Sequence, residues 1–266
     1  MNDIVVIRGG GDLATGIGQR LHNSGFRILV LEIETPQVIR RTVAFAQAVF
    51  DGSTVVEGIK AVKVTGVEQI KRAWDDGVVP VMIDKSCSIL NQMSPDVVVD
   101  AILAKKNLGT HRGMAPITIG VGPGFEAGVD VDIVVETERG HDLGRLVYRG
   151  YAAKDSGIPG EIMGYGKERV IKSPCDGKIR HLCRIGDSVV KGQAIVMVGH
   201  TEVKASIDGV LRGLIMEGLE VQEGLKIADI DPRNIEEHCY TISDKARAIG
   251  GGVLEAILYM KKIYFK

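Results

Sequence analysis

Ile4-Val5-Val6-Ile7-Arg8-Gly9-Gly10-Gly11-Asp12-Leu13-Ala14-Thr15-Gly16 is the stretch on which the fold reading turns. Four apolar, mostly β-branched residues read as a buried strand. Leu13, Ile17 and Leu21 then recur at helical spacing up to Asn23-Ser24-Gly25, and Ile28-Leu29-Val30-Leu31 reads as a second strand closed by Glu32. The unit is strand, glycine loop, helix, strand, with the loop spelling G-x-G-x-x-A from Gly9 through Gly11 to Ala14. In such a loop one glycine permits the turn, a second lets phosphates approach the backbone, and a small third residue packs helix on strand. Free N–H groups at the helix start suit an anion. Glu32, about 20 residues on, stands where an acid can accept a ribose hydroxyl. The candidate ligand-binding residues are therefore Gly9, Gly10, Gly11, Asp12, Leu13, Ala14, Thr15 and Glu32. The same glycines would also serve a ligand-free turn packing a helix on a sheet. Asp12 argues against an ordinary dinucleotide, since its carboxylate would repel phosphate.

The α/β pattern continues through strands at 59–64, 78–83 and 97–99, with Thr65 and Glu68 as a capping box for a helix reaching Trp74. Polar residues following such strands are candidates for chemistry. Cys87 with Lys85 is one, as a reactive thiol or as a small buried one. The turn Glu136-Thr137-Glu138-Arg139-Gly140-His141 is another, with His141, Arg139 and Glu138 as candidates for proton transfer or substrate orientation, or as solvated turn residues.

Downstream, Ile171 to Leu182 and Val203 to Leu214 repeat at an offset of 32 residues, which persists through Gly186/Gly218, Val189/Val221 and Gly192/Gly224. Two such halves resemble the barrel-sandwich hybrid of biotinyl and lipoyl domains. The join, Val196 to Val203, holds no lysine, so no covalent biotin or lipoate is expected. Ser243 reads as the N-cap of a last helix from Asp244 to about Lys262. Gly250-Gly251-Gly252 inside it should cost about 1 kcal/mol each relative to alanine, which points to a close approach or a kink.

The sequence-based expectation is an α/β fold. A Rossmann-like, mostly parallel sheet domain (1–168) precedes a small all-β barrel-sandwich hybrid (169–231), with a connector and C-terminal helix (232–266) that can return to the first domain. Of 266 residues, 33 are Lys or Arg and 34 are Asp or Glu, a balance that disfavours nucleic acid as the main partner. No apolar run reaches the roughly 18 residues of a membrane span. The start, Met1-Asn2-Asp3, lacks the pattern of a secretion signal. Four cysteines without metal spacing suit a reducing cytoplasm, and no metal site is expected.

Several longer motifs carry a resemblance. They are R-G-G-G-D-L-A-T-G, Arg40 to Gly52, Asn107 to Thr110, the G-x-G-P-G-F loop, E-T-E-R-G-H-D-L-G-R, and Gly157 to Gly160. Together they resemble the YqeB-type accessory proteins of selenium-dependent molybdenum hydroxylases. The first domain is also similar to the Rossmann-like part of XdhC-type maturation factors. The resemblance implies a maturation role in supplying or inserting a selenium-bearing molybdenum cofactor. It implies a hydroxylase client, other maturation factors and a small phosphate-bearing ligand, such as a nucleotide or nucleotide-form molybdopterin. The alternatives are an NAD-dependent oxidoreductase and a non-catalytic scaffold. Whether the chain catalyses a reaction, and whether it forms a homo-oligomer, stay open.

Overall fold

The computed structural model describes residues 3–155, 157 and 159–264. The N-terminal Met1-Asn2 and Ile158 of the Gly157–Gly160 motif lie outside them. The chain divides into two compact units. The first comprises Met1–Pro36, Ala44–Asp155 and Ile242–Lys266, and the second Gln37–Val43 and Ser156–Thr241.

In the first unit, β1 (Ile4–Arg8), α1 (Asp12–Asn23) and β2 (Arg27–Glu32) are followed by a short turn of helix, α2 (Ala48–Asp51). Next come β3 (Ser53–Val56), β4 (Ile59–Val64), α3 (Val67–Asp75), β5 (Val79–Ile83) and β6 (Val97–Asp100). The strands β7 (Ile117–Val121), β8 (Glu126–Ala127), β9 (Ile133–Val135), β10 (Leu146–Val147) and β11 (Gly150–Tyr151) complete this stretch. Among the described residues, nine strands form one sheet in the order β10-β9-β7-β6-β1-β2-β5-β4-β3. Val5, Val6 and Ile7 at its centre are fully buried, as a strand covered on both faces requires.

This sheet corrects the expected Rossmann-like domain. Its seven inner strands run parallel, but antiparallel β3 and β10 close the two edges, so the sheet is mixed. Helices connect only some of its strands: α1 lies between β1 and β2, and α3 between β4 and β5. The links from β5 to β6 and β6 to β7 are short 3-10 turns and loops. Cover over β7 and β9 comes instead from the far end of the chain, α4 (Asp244–Tyr264). The capping box also differs in detail: Gln69 Oε1, one residue beyond Glu68, accepts from the Thr65 N–H at 2.8 Å.

α1 and α4 lie side by side and run the same way. Gly16 faces Ala246 and Gly250, while Lys261, near the end of α4, sits over Phe26, just past α1. A Cβ on Gly250 would stand 2.8 Å from Gly16 O, and one on Gly252 would overlap Gly144 O. The middle glycine, Gly251, faces open space. Two of the three glycines therefore serve close backbone contact, and the helix runs unbroken through them. Ser243 caps it, its Oγ accepting from Ala246 N–H at 3.2 Å.

In the second unit the strands are β12 (Val170–Lys172), β13 (Gly177–His181), β14 (Ser188–Val189), β15 (Ala194–Val198), β16 (Thr201–Lys204), β17 (Gly209–Leu214), β18 (Glu220–Val221) and β19 (Lys226–Asp231). They form two four-stranded antiparallel sheets, β12-β19-β17-β14 and β16-β15-β13-β18. The sheets share one core, in which Ile179, Ile195, Leu211, Leu214, Ile227 and Ile230 are buried. The 32-residue offset relates them: β12, β13, β14 and β15 correspond to β16, β17, β18 and β19, and the halves exchange strands, β14 pairing with β17 and β18 with β13. The expected biotinyl/lipoyl-like barrel-sandwich hybrid is thus corrected to a pair of antiparallel sheets related by an internal repeat.

Candidate functional site

Strands β1, β2, β5 and β6 all end at one edge of the large sheet, and a cleft of about 430 Å³ opens there. Arg8 ends β1 and Gly9 follows it, Glu32 ends β2 and Ile33 follows it, Asp84 and Lys85 follow β5, and Ile102 follows β6; Leu31 and Leu108 complete the lining. A parallel sheet dictates this arrangement, because every strand delivers its following loop to the same edge.

The charged groups of the cleft are held by the fold in different ways. Arg8 is buried, and its guanidinium donates to Asp100 Oδ2 at 3.2 Å, to Thr110 Oγ1 and to Leu108 O. Thr110 in turn donates to Asp100 at 2.5 Å. Glu32 accepts from Gly10 N–H through Oε2 and from Ile33 N–H through Oε1, both at 2.8 Å. Burial raises its pKa, and the two N–H groups oppose that rise. Each carboxylate oxygen keeps a second lone pair for a ligand hydroxyl. Burial also works against the charge of Asp84, but donors from Ile89, Ser88 and Ser86 outweigh it and hold the pKa below the usual carboxylate range. Asp84 thereby caps the turn Ser88–Asn91. Lys85 is exposed at the rim.

Cys87 lies beneath this surface, 5% exposed. Burial pushes its thiol pKa up, with Arg8 pulling the other way. A nucleophilic thiol needs the opposite shift, so at neutral pH Cys87 is held as the thiol.

The glycine loop is clasped by its own chain. Gly9 has φ +94°, and a Cβ there would stand 3.0 Å from Ala101 O. Gly10 O accepts from Ala46 N–H at 2.8 Å, and Thr15 Oγ1 accepts from Phe45 N–H at 2.8 Å. Ala14 is buried, while Gly11, Asp12 and Leu13 are half-buried. Gly11 is the N-cap residue of α1 and supplies no side-chain cap. Near this end, Lys245 at the start of α4 has its pKa lowered, first by desolvation and then by Arg139, against the pull of Asp12, Glu136 and Asp155.

The other predicted cluster is a separate turn following β9, and it does not line the cleft. Glu136 organises it by accepting from Thr137, Glu138 and Ala153 N–H groups at 2.6 to 2.7 Å. Arg139 makes a two-pronged ion pair with Asp244, at 2.8 and 3.0 Å. Glu138 and His141 are exposed. Sequence reasoning overlooked Arg8, whose only signal is a basic residue closing an apolar strand. It also overlooked Ile33, Ile102, Leu108 and Lys245, which carry no local signal. Among the described residues no group of three His, Cys, Asp or Glu side chains could hold a metal ion, and no helix is long and apolar enough to cross a membrane.

No family model matches the chain. It is 50% identical over 259 residues to a protein of Escherichia coli (strain K12) named "Uncharacterized protein YqeB". That alignment covers 97% of this chain and 48% of the relative, so the chain spans about half the length of the relative it matches. Solved structures with some likeness include the ectoine utilization protein EutE (DoeB) from Ruegeria pomeroyi, at 13% identity and a TM-score of 0.26 over 86% of this chain and 85% of that one. A succinylglutamate desuccinylase from Silicibacter sp. TM1040 gives 12% identity and 0.25 over 86% and 84%. An aspartoacylase family protein from Mesorhizobium loti gives 12% identity and 0.28 over 86% and 85%. Scores this low give this chain neither a fold nor an activity. The relative that matches over most of this chain is itself named as uncharacterized, and none of these names mentions molybdenum-hydroxylase maturation. The expected maturation role, with its selenium, molybdenum cofactor and hydroxylase client, is withdrawn, and no observation favours the oxidoreductase or scaffold alternatives.

Proposed function

We propose that this chain binds a small molecule bearing a phosphate or similarly compact anion at the cleft edge of its large sheet. The observation that carries this reading is the cleft itself, in which apolar walls surround a few convergent charged groups, the usual make-up of a small-molecule site. Leu31, Ile33, Ile102 and Leu108 offer cover for an apolar body, and Glu32 has lone pairs for a hydroxyl. Lys85 at the rim supplies positive charge. α1 begins at Asp12, three residues beyond Gly9, with Gly11 supplying no side-chain cap, and a helix start of this kind favours negative charge nearby.

Calorimetric titration with paired compounds tests the reading, each phosphate ester or nucleotide set against its phosphate-free counterpart. The phosphorylated member of at least one pair should bind at least about tenfold tighter. Ile102→Trp, which fills the cleft, and Lys85→Glu, which reverses the rim charge, should each weaken that binding by a similar factor. Equal affinity within every pair, or binding indifferent to both substitutions, would overturn it.

A further inference from the structure

The last helix has a second apolar face. One side of α4 buries Ala246, Ile249, Val253, Ala256, Ile257 and Met260. On the other side Leu258, Tyr259 and Ile263 are 47%, 41% and 50% exposed. Tyr148, following β10, is also exposed and packs its ring on Tyr259 with centroids 4.9 Å apart, which widens the patch. Exposed apolar residues scattered singly call for no explanation, whereas a contiguous group on one face does.

The charges flanking this face are placed symmetrically. Leu258, Tyr259 and Lys262 stand three, four and seven residues beyond Glu255 and so share a helix face, with Ile263 at its edge. Glu255 and Lys262 carry opposite charges, and neither makes an ion pair among the described residues. Glu255 and Lys262 lie near the centre line of the face, one turn to either side of Leu258 and Tyr259, which flank that line. If a two-fold axis runs across the helix at the level of Leu258 and Tyr259, a second α4 packs antiparallel. Glu255 then meets Lys262 of the second copy, and Leu258 and Tyr259 each lie beside their own counterparts. One register satisfies both charge pairings and the apolar contact between them.

We infer that this face of α4 binds a second copy of this chain, antiparallel and about a two-fold axis. Self-complementarity is what an isologous interface demands, and a different protein as partner would not require it. Leucine and tyrosine at the crossing suit the usual 8–10 Å separation of packed helices. The inference is independent of the ligand proposed for the cleft.

Light scattering or sedimentation of the whole chain at graded concentrations tests it. At concentrations of about 100 µM the mass should be twice 28.6 kDa, falling toward 28.6 kDa on dilution. Glu255→Lys sets lysine against lysine twice per dimer and should weaken association at least about tenfold. Lys262→Glu should act alike. The double variant Glu255→Lys/Lys262→Glu restores both attractions and should return the affinity to within about threefold of the parent. Circular dichroism checks that each variant stays folded, and Leu258→Asp is a second way to break the contact. A parent chain that stays monomeric, association indifferent to Glu255→Lys and Leu258→Asp, or a double variant no tighter than the singles would overturn the inference.

Discussion

Asp231 is the residue on which most of the buried charge in the second unit converges. Its side chain is fully buried and accepts from Arg212 Nη1 at 3.1 Å and Arg233 Nη2 at 2.6 Å. Neighbouring Asp229 holds Arg212 at 2.5 Å and Arg169 at 3.2 Å. Burial opposes the charge of Asp231, but its arginine partners prevail and bring the pKa to about 2. A carboxylate lowered in this way contributes stability above its unfolded pKa and loses it as pH falls through the folded value. We therefore expect about 2 kcal/mol from this group at neutral pH, lost between about pH 4 and pH 2. Asp231→Ala leaves the half-buried Arg212 with Asp229 as its carboxylate and takes from Arg233 the carboxylate it holds, and should cost about 2 kcal/mol in denaturant unfolding at pH 7. The acid-induced loss should be correspondingly shallower in that variant. A cost below about 1 kcal/mol would mean that water or other groups already compensate the arginines.

Residue chemistry also orders the thiols. Cys87, Cys183 and Cys239 are buried with raised pKa values, that of Cys239 reaching about 11, whereas Cys175 is half-buried. A thiol reagent at mildly alkaline pH should label Cys175 first and the other three only on unfolding. Mass mapping that found Cys87 labelled first would restore it as a reactive residue.

At the scale of elements, the pairing of α1 with α4 depends on glycines that look alike in the sequence and differ in their surroundings. Gly252→Ala would force a methyl group into Gly144 O and should destabilise by about 2 kcal/mol or more. Gly251→Ala meets open space within a helix and should stabilise by about 0.5–1 kcal/mol. Thermal melts of the two variants should move in opposite directions. Shifts of the same sign would mean that α4 does not pack on Gly144 as described. The glycines at the start of α1 follow the same logic. Gly9 and Gly10 are small because Ala101 and Ala46 press on them, so glycine at these two positions answers to the chain itself before any ligand.

For the whole molecule, the decisive arrangement is that four parallel strands deliver Arg8, Glu32, Lys85 and Ile102 to one cleft from positions far apart in sequence. The predicted turn bearing Arg139 and His141 reaches the same sheet but not that cleft. A carboxylate placed at His141, as His141→Glu, should therefore leave ligand affinity within about twofold, while Lys85→Glu lowers it at least about tenfold. Equal losses would place the ligand across both loops.

Local periodicity and turn chemistry determined the elements of this protein. The strand-glycine loop-helix-strand start, the 32-residue repeat and the capped last helix are legible because neighbours in sequence make them. Even the cost of three glycines in a helix was legible, and it pointed to a close backbone contact. The partners of those elements were decided only in three dimensions. Nothing local marks that α4 crosses back to lie on α1, that antiparallel strands close both edges of the sheet, or that Ala46 fills the space at Gly10. The same holds for the candidate site: Glu32 and Lys85 follow apolar strands and announce themselves. Ile102, Leu108 and Lys245 become relevant only because burial and backbone pairing bring distant segments together, and that free energy depends on the whole assembly rather than on any one stretch of chain.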